Sequence, residues 1–137
     1  MFAEEEIIGK LSICMGTSLE KKEQLPLTLA QMLLNAVRRH EKNGIMYIQE
    51  NGEDFFQTYP DLLINAQKVL SGLKEKGIQP QNKVIFQLSV NQDFITAFWA
   101  CVLGGFVPVP INIITSDDPN NATIKKLLNV WQSIVSR

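Results

Sequence analysis

The chain has only two cysteines, Cys14 and Cys101, and a single histidine, His40, among its 137 residues. A closed zinc site takes about four nitrogen or sulfur ligands, so these three cannot build one. Two cysteines this far apart suit a reduced, cytoplasmic setting better than a disulfide framework. Charge of either sign is scarce. Lys and Arg number 13 against 14 Asp and Glu, a net charge of −1, and no basic stripe stands out. Nucleic-acid binding therefore has no electrostatic footing. The opening MFAEEEIIGK begins on acids rather than on a basic region before an apolar one, so it does not read as a secretory signal. What is present is ordinary for a globular chain: 45% hydrophobic and 20% charged residues, which excludes disorder as the default. The length fits one domain, or a piece of one, with a modest core.

The rest of the chain is organised around Lys83 to Ile113. Val84 to Leu88 is a short apolar run that suits a buried strand. Ser89, Asn91 and Asp93 follow, with side chains able to accept hydrogen bonds at a helix start. Phe94, Ala97, Phe98, Cys101 and Val102 then recur at helical spacing, and Gly104-Gly105 ends the helix. Phe106 to Ile113 is apolar again, but Pro108 and Pro110 remove two ladder donors, which fits an edge strand. The whole reads as a strand–helix–strand crossover. Phe94 to Ile114 carries no charge and is long enough for a membrane span, but Gly104, Gly105, Pro108 and Pro110 in its middle argue against that reading.

Upstream, residues 1–24 form a lead-in arm with no clear periodicity. Thr28 and Gln31 make a capping-box pair ahead of a helix with the stripe Leu29, Met32, Leu33, Ala36 and Val37. His40 falls in its last turn as a solvated residue rather than a base. Ile45–Gln49 and Phe55–Thr58 flank Asn51-Gly52, a hairpin signal. Thr58 and Asp61 cap the next helix, with Pro60 in its first turn and Leu62, Ala66, Val69, Leu70 and Leu73 on its buried face. Gly77 is its left-handed exit. Downstream, Asp117 to Asn121 is a turn cluster in which Asn121 or Thr123 can cap an amphipathic helix bearing Ile124, Leu127, Leu128, Trp131, Ile134 and Val135.

Two segments carry a family resemblance. QDFITAFWACVLGGFVPVPI resembles the second core motif of the AMP-forming acyl-adenylating enzymes: acyl-CoA synthetases, fatty acyl-AMP ligases and the adenylation domains of nonribosomal peptide synthetases. Its wording is most similar to the starter AMP-ligase domains of bacterial hybrid polyketide/peptide megasynthases. FQTYPDLL resembles the first core motif, in the expected order and spacing. The resemblance covers residues 25 to 135. It implies an α/β fold, part of a doubly wound and mostly parallel sheet with flanking helices and an N-terminal β-hairpin. Residues 25–137 would then be the N-terminal segment of an acyl-adenylating domain, ending before the phosphate-binding loop.

The parent would use ATP and Mg2+ to activate a carboxylic acid as acyl-AMP and pass it to a carrier-protein or coenzyme A thiol. Its partners would be the remainder of the domain or another megasynthase subunit, a carrier protein, and in one expectation a second copy of this chain. No nucleic acid or membrane is implied. The phosphate loop and the later motifs have no matching positions, so no catalytic, cofactor-binding or metal residue is carried over, and the chain reads as inactive by itself.

Nothing else in the sequence supplies the chemistry. Gly104-Gly105 is a helix terminator rather than a phosphate cradle. Ser89, Ser116 and Ser133 share one histidine without a nucleophile-elbow context. Asp117 and Asp118 read as solvated cap residues, Trp99 with Phe94 and Phe98 as core, and Cys101 as a small buried hydrophobe. The alternative is a non-enzymatic module that docks onto another megasynthase subunit.

Overall fold

The computed structural model describes residues 16–18, 25–49, 52–114, 118 and 120–135. The lead-in arm expected over residues 1–24 lies outside them apart from 16–18. The described residues form four helices and four short strands in a mixed α/β arrangement.

Helix α1 (Leu29–Arg39) starts at Thr28, whose Oγ1 accepts from the Gln31 N–H at 3.1 Å. The Gln31 side chain reaches one residue further back than a capping box requires, accepting from the Leu27 N–H at 2.8 Å. Of the apolar stripe expected on α1, Leu33 is buried, whereas Leu29 and Met32 are exposed.

Strands β1 (Gly44–Tyr47) and β2 (Phe55–Thr58) pair antiparallel, from Gly44 opposite Thr58 to Tyr47 opposite Phe55. β1 stops at Tyr47, two residues short of the expected run, and Asn51 lies outside the described residues. Ile45, Tyr47 and Gln57 share one face of the pair, while Met46 and Phe56 sit on the other and are exposed. Gly44 lies hard against the opposite strand: a Cβ there would stand 2.0 Å from the Gln57 carbonyl oxygen.

Helix α2 (Tyr59–Glu75) follows β2 with no intervening residue. The Thr58 hydroxyl accepts from the Asp61 N–H at 3.2 Å and donates to the Asp61 carboxylate at 2.6 Å. Leu62 and Ala66 are fully buried, but Val69, expected on that face, is exposed. Gly77 ends the helix at φ +86°, with the Ile78 N–H donating to the Leu73 carbonyl at 3.2 Å.

The central unit is β3 (Lys83–Phe86), α3 (Asn91–Gly104) and β4 (Val107–Pro110). β3 and β4 pair in parallel, Val84 opposite Pro108 and Phe86 opposite Pro110. The expected caps from Ser89, Asn91 and Asp93 do not form. Val90 holds the cap position with no side-chain hydrogen bond, because Asn91 and Asp93 already lie inside the first turn. There Asp93 still faces the positive end of the helix dipole. At the other end Gly105 takes φ +67°, and the Phe106 N–H donates to the Cys101 carbonyl at 2.9 Å.

α3 is apolar nearly all round, and so it is buried on more than one side. Thr96, Ala100 and Cys101 are buried, and α3 packs against both α1 and α2. The Phe94 ring meets Phe86 edge-on at 5.5 Å.

A turn at Asp118 then leads to α4 (Ala122–Val135), whose Thr123 N–H donates to Asn121 Oδ1 at 2.8 Å. On α4, Leu128 and Trp131 are 53% and 57% exposed. Among the described residues, no helix is long and apolar enough to cross a membrane.

Candidate functional site

The features that attract attention in the sequence are dispersed over separate elements. His40 is exposed at the end of α1, and Ser89 is exposed ahead of α3. The Ser133 hydroxyl donates to the Val130 carbonyl at 2.8 Å, a local helix bond. Among the described residues no hydrogen bond joins His40 to a serine. Ser116 and Asp117 lie outside them. Asp118 shapes its turn, its Oδ1 accepting from the Asn120 N–H at 2.9 Å.

The Gly105 N–H is committed to the Val102 carbonyl at 3.3 Å, so the Gly104-Gly105 pair closes α3 and does not offer donors to a phosphate. No group of three or more potential metal ligands is found among the described residues.

One polar side chain that was not expected in the core is buried. Gln57 is 1% exposed, and its Oε1 accepts from the Tyr47 hydroxyl at 2.8 Å. Its Nε2 has no hydrogen-bond partner among the described residues. Burial pushes the Tyr47 phenol above its ordinary value, which keeps it a neutral donor to Gln57. The signal that could have found this is the alternation in Phe55-Phe56-Gln57-Thr58, read against Ile45 and Tyr47 across the pair.

Two of the clefts that border α3 among the described residues are the roomier ones. One, of about 330 Å3, is lined by Leu33, Ile45, Tyr59, Leu62 and Trp99. The other, of about 500 Å3, opens at the carboxyl ends of β3 and β4, between Ser89, Phe94, Ile111 and Asn112. There Gln87 Nε2 ties the end of β3 to the Asn112 carbonyl at 2.9 Å. Neither gathers a nucleophile, a base and an oxyanion donor.

Cys101 is 1% exposed within α3, and burial raises its thiol above the ordinary value of 9.0. Both effects slow alkylation, since the thiolate is the reacting form. Thiol reagents under native conditions are expected to spare Cys101 while denaturant exposes it; rapid native modification would mean α3 faces solvent. The linkage has a definite sign. The unfolded chain loses the thiol proton first, so stability is full below about pH 9 and falls as pH rises towards the folded value.

The fold and the two motifs lead to one class, the acyl-adenylate-forming domains. No family model matches the chain. Over 88% of its length it superposes on McyG A-PCP complexed with phenylalanyl-adenylate, at 43% identity and a TM-score of 0.76. An adenylation domain of a keto acid-selecting NRPS module bound to keto acyl adenylate matches 82% of the chain at 38% identity and a TM-score of 0.75. The fatty acid AMP ligase from Legionella pneumophila matches 87% at 25% identity and a TM-score of 0.64. Among curated proteins, the atromentin synthetase of Tapinella panuoides is 27% identical over 94 residues, 66% of this chain.

The chain is thus a relative of NRPS adenylation domains and fatty acyl-AMP ligases, as its two motifs suggested. It spans 21% of the McyG chain, 19% of the Legionella ligase and 10% of the atromentin synthetase.

Proposed function

We propose that the chain is a scaffold segment of a domain that activates a carboxylic acid with ATP as acyl-AMP for transfer to a carrier-protein or coenzyme A thiol, within polyketide or nonribosomal peptide biosynthesis in the cytoplasm. The observation that carries this reading is the match at 43% identity and a TM-score of 0.76 over 88% of the chain, against only 21% of the relative. In that role β3–α3–β4 is a piece of a larger doubly wound sheet with α3 and α4 on its two faces, and the β1–β2 pair is its N-terminal hairpin. ATP and Mg2+ belong to the complete domain, and the chain's partners are the rest of that domain and its carrier protein. Its own residues pack and position; they carry out no chemistry.

The expected result is that the isolated chain neither binds ATP·Mg2+ in calorimetry nor supports carboxylate-dependent ATP–pyrophosphate exchange. Holding three phosphates takes convergent backbone donors and a lysine, which this sequence does not assemble. ATP binding in the micromolar range, about −8 kcal/mol, would overturn the scaffold reading.

A further inference from the structure

We propose that a groove along α1 binds a small amphiphilic anion, with its apolar tail in the cleft against Trp99 and its anionic head at the Arg39 guanidinium. The site is separate from the chemistry of the proposed parent domain and does not rest on that reading.

The groove is made of two clefts that share a wall. The inner cleft, of about 330 Å3, reaches the buried Leu33 and Leu62 where α1, β1, α2 and α3 meet. The outer one, of about 230 Å3, is bordered by Leu25, Pro26, Asn35, Arg39 and His40. Met32 and Ala36 line both. These two stand one turn apart on α1, and Arg39 follows three residues later on the same face. That face therefore passes from apolar at Met32 and Ala36 to cationic at Arg39.

Each end suits a different part of one ligand. Leu33, Ile45, Leu62 and Trp99 put no charge into the inner cleft, so a tail seated there leaves water without losing hydrogen bonds. An apolar cavity of about 150 Å3 already holds a benzene-sized guest. Met32, exposed between the clefts, is unbranched and can re-pack around a tail. At the other end the Arg39 guanidinium has no ion-pair partner among the described residues. Its planar fork can donate two parallel hydrogen bonds to an oxyanion. From Met32 to Arg39 the helix rises about 10 Å, which an extended chain of about eight carbons spans.

The cavity beneath α4 shows what the α1 groove adds. It is larger, about 420 Å3, but Ile85, Leu127, Leu128 and Trp131 give it no charged wall. Such a cavity selects for apolar surface and not for the sign of a head group. Of these two places, the α1 groove joins an apolar cleft to a cation.

Trp99 fluorescence in the 137-residue chain tests the site. The chain has two tryptophans, so Trp131→Phe leaves Trp99 as the reporter. Octanesulfonate below its micelle concentration is expected to change the Trp99 emission saturably, with a Kd on the order of 1 mM. A sulfonate head cannot form an acyl adenylate, so this binding is distinct from the proposed reaction. Arg39→Gln should weaken octanesulfonate about two- to fivefold and leave octanol unchanged, the range of an exposed ion pair. Ala36→Leu, which fills the shared wall, should weaken both ligands about tenfold. If Ala36→Leu does not fold, Arg39→Gln, at an exposed position, decides alone. No saturable change at about tenfold above the expected Kd overturns the site. So does an Arg39→Gln protein that binds octanesulfonate as before, or loses octanol equally. A response to phosphatidylglycerol vesicles with none to octanesulfonate makes the groove a membrane contact and overturns the free ligand.

Discussion

Replacing Gly44 with alanine is expected to remove about 3 kcal/mol or more of stability and to unravel the β1–β2 pair. The sign is the opposite of the usual one. A glycine-to-alanine change at a compatible position stabilises by about 0.4–1 kcal/mol through the unfolded chain. At Gly44 the new Cβ would meet the Gln57 carbonyl oxygen at 2.0 Å, the Gln57 carbonyl carbon at 2.7 Å and the Thr58 Cα at 2.7 Å. All three are backbone atoms, so no side-chain rotation relieves the clash. The strands must separate where Thr58 hands the chain directly to α2, which couples the damage to the helix cap. Urea denaturation of wild type and Gly44→Ala measures the loss; an unchanged midpoint would contradict the Gly44–Thr58 register.

Leu62→Ala is expected to cost about 2–5 kcal/mol, a large share of the roughly 5–15 kcal/mol that holds a domain folded. Leu62 is 1% exposed and lies where α2 meets α3. It also lines the cleft of about 330 Å3 beside Leu33 and Trp99, so its truncation enlarges a space already present. The neighbours of that space include the rings of Tyr59 and Trp99, which limits collapse and pushes the cost towards the upper part of the range. Leu62→Met, which nearly conserves volume, should cost less than about 1.5 kcal/mol. A Leu62→Ala protein as stable as wild type would mean that α2 does not pack on α3 through this residue.

The elements were legible in the sequence where their signals are local. Thr28 and Thr58 cap within three residues of themselves, and Gly77 and Gly105 end their helices in the left-handed conformation. The prolines of β4 point to an edge strand because a missing N–H is a covalent fact. Signals that depend on distant partners were not legible. Val69 fits the α2 stripe by spacing, yet it is exposed. Polar residues at 89, 91 and 93 suit a cap by type, but the helix begins at Asn91 and leaves Val90 in the cap position.

Gln57 is buried and Phe56 exposed because the cross-strand register, not residue hydrophobicity, decides which face turns inward. As for the site, the two motifs that carry the family resemblance were legible in the sequence. It could not say that residues 82, 84 and 86 face β4, since that follows from the ladder to residues 107–111.

Whether this chain serves as structural frame for an acyl-adenylating domain is decided by a chimera in which it replaces the matched segment of McyG A-PCP. The measurement is phenylalanine-dependent ATP–pyrophosphate exchange, chosen because that protein is seen with phenylalanyl-adenylate. If residues 25–135 supply packing and position only, the chimera should retain exchange within about tenfold of the parent, roughly 1.4 kcal/mol in barrier. A chimera that folds cooperatively but shows no exchange would contradict the account.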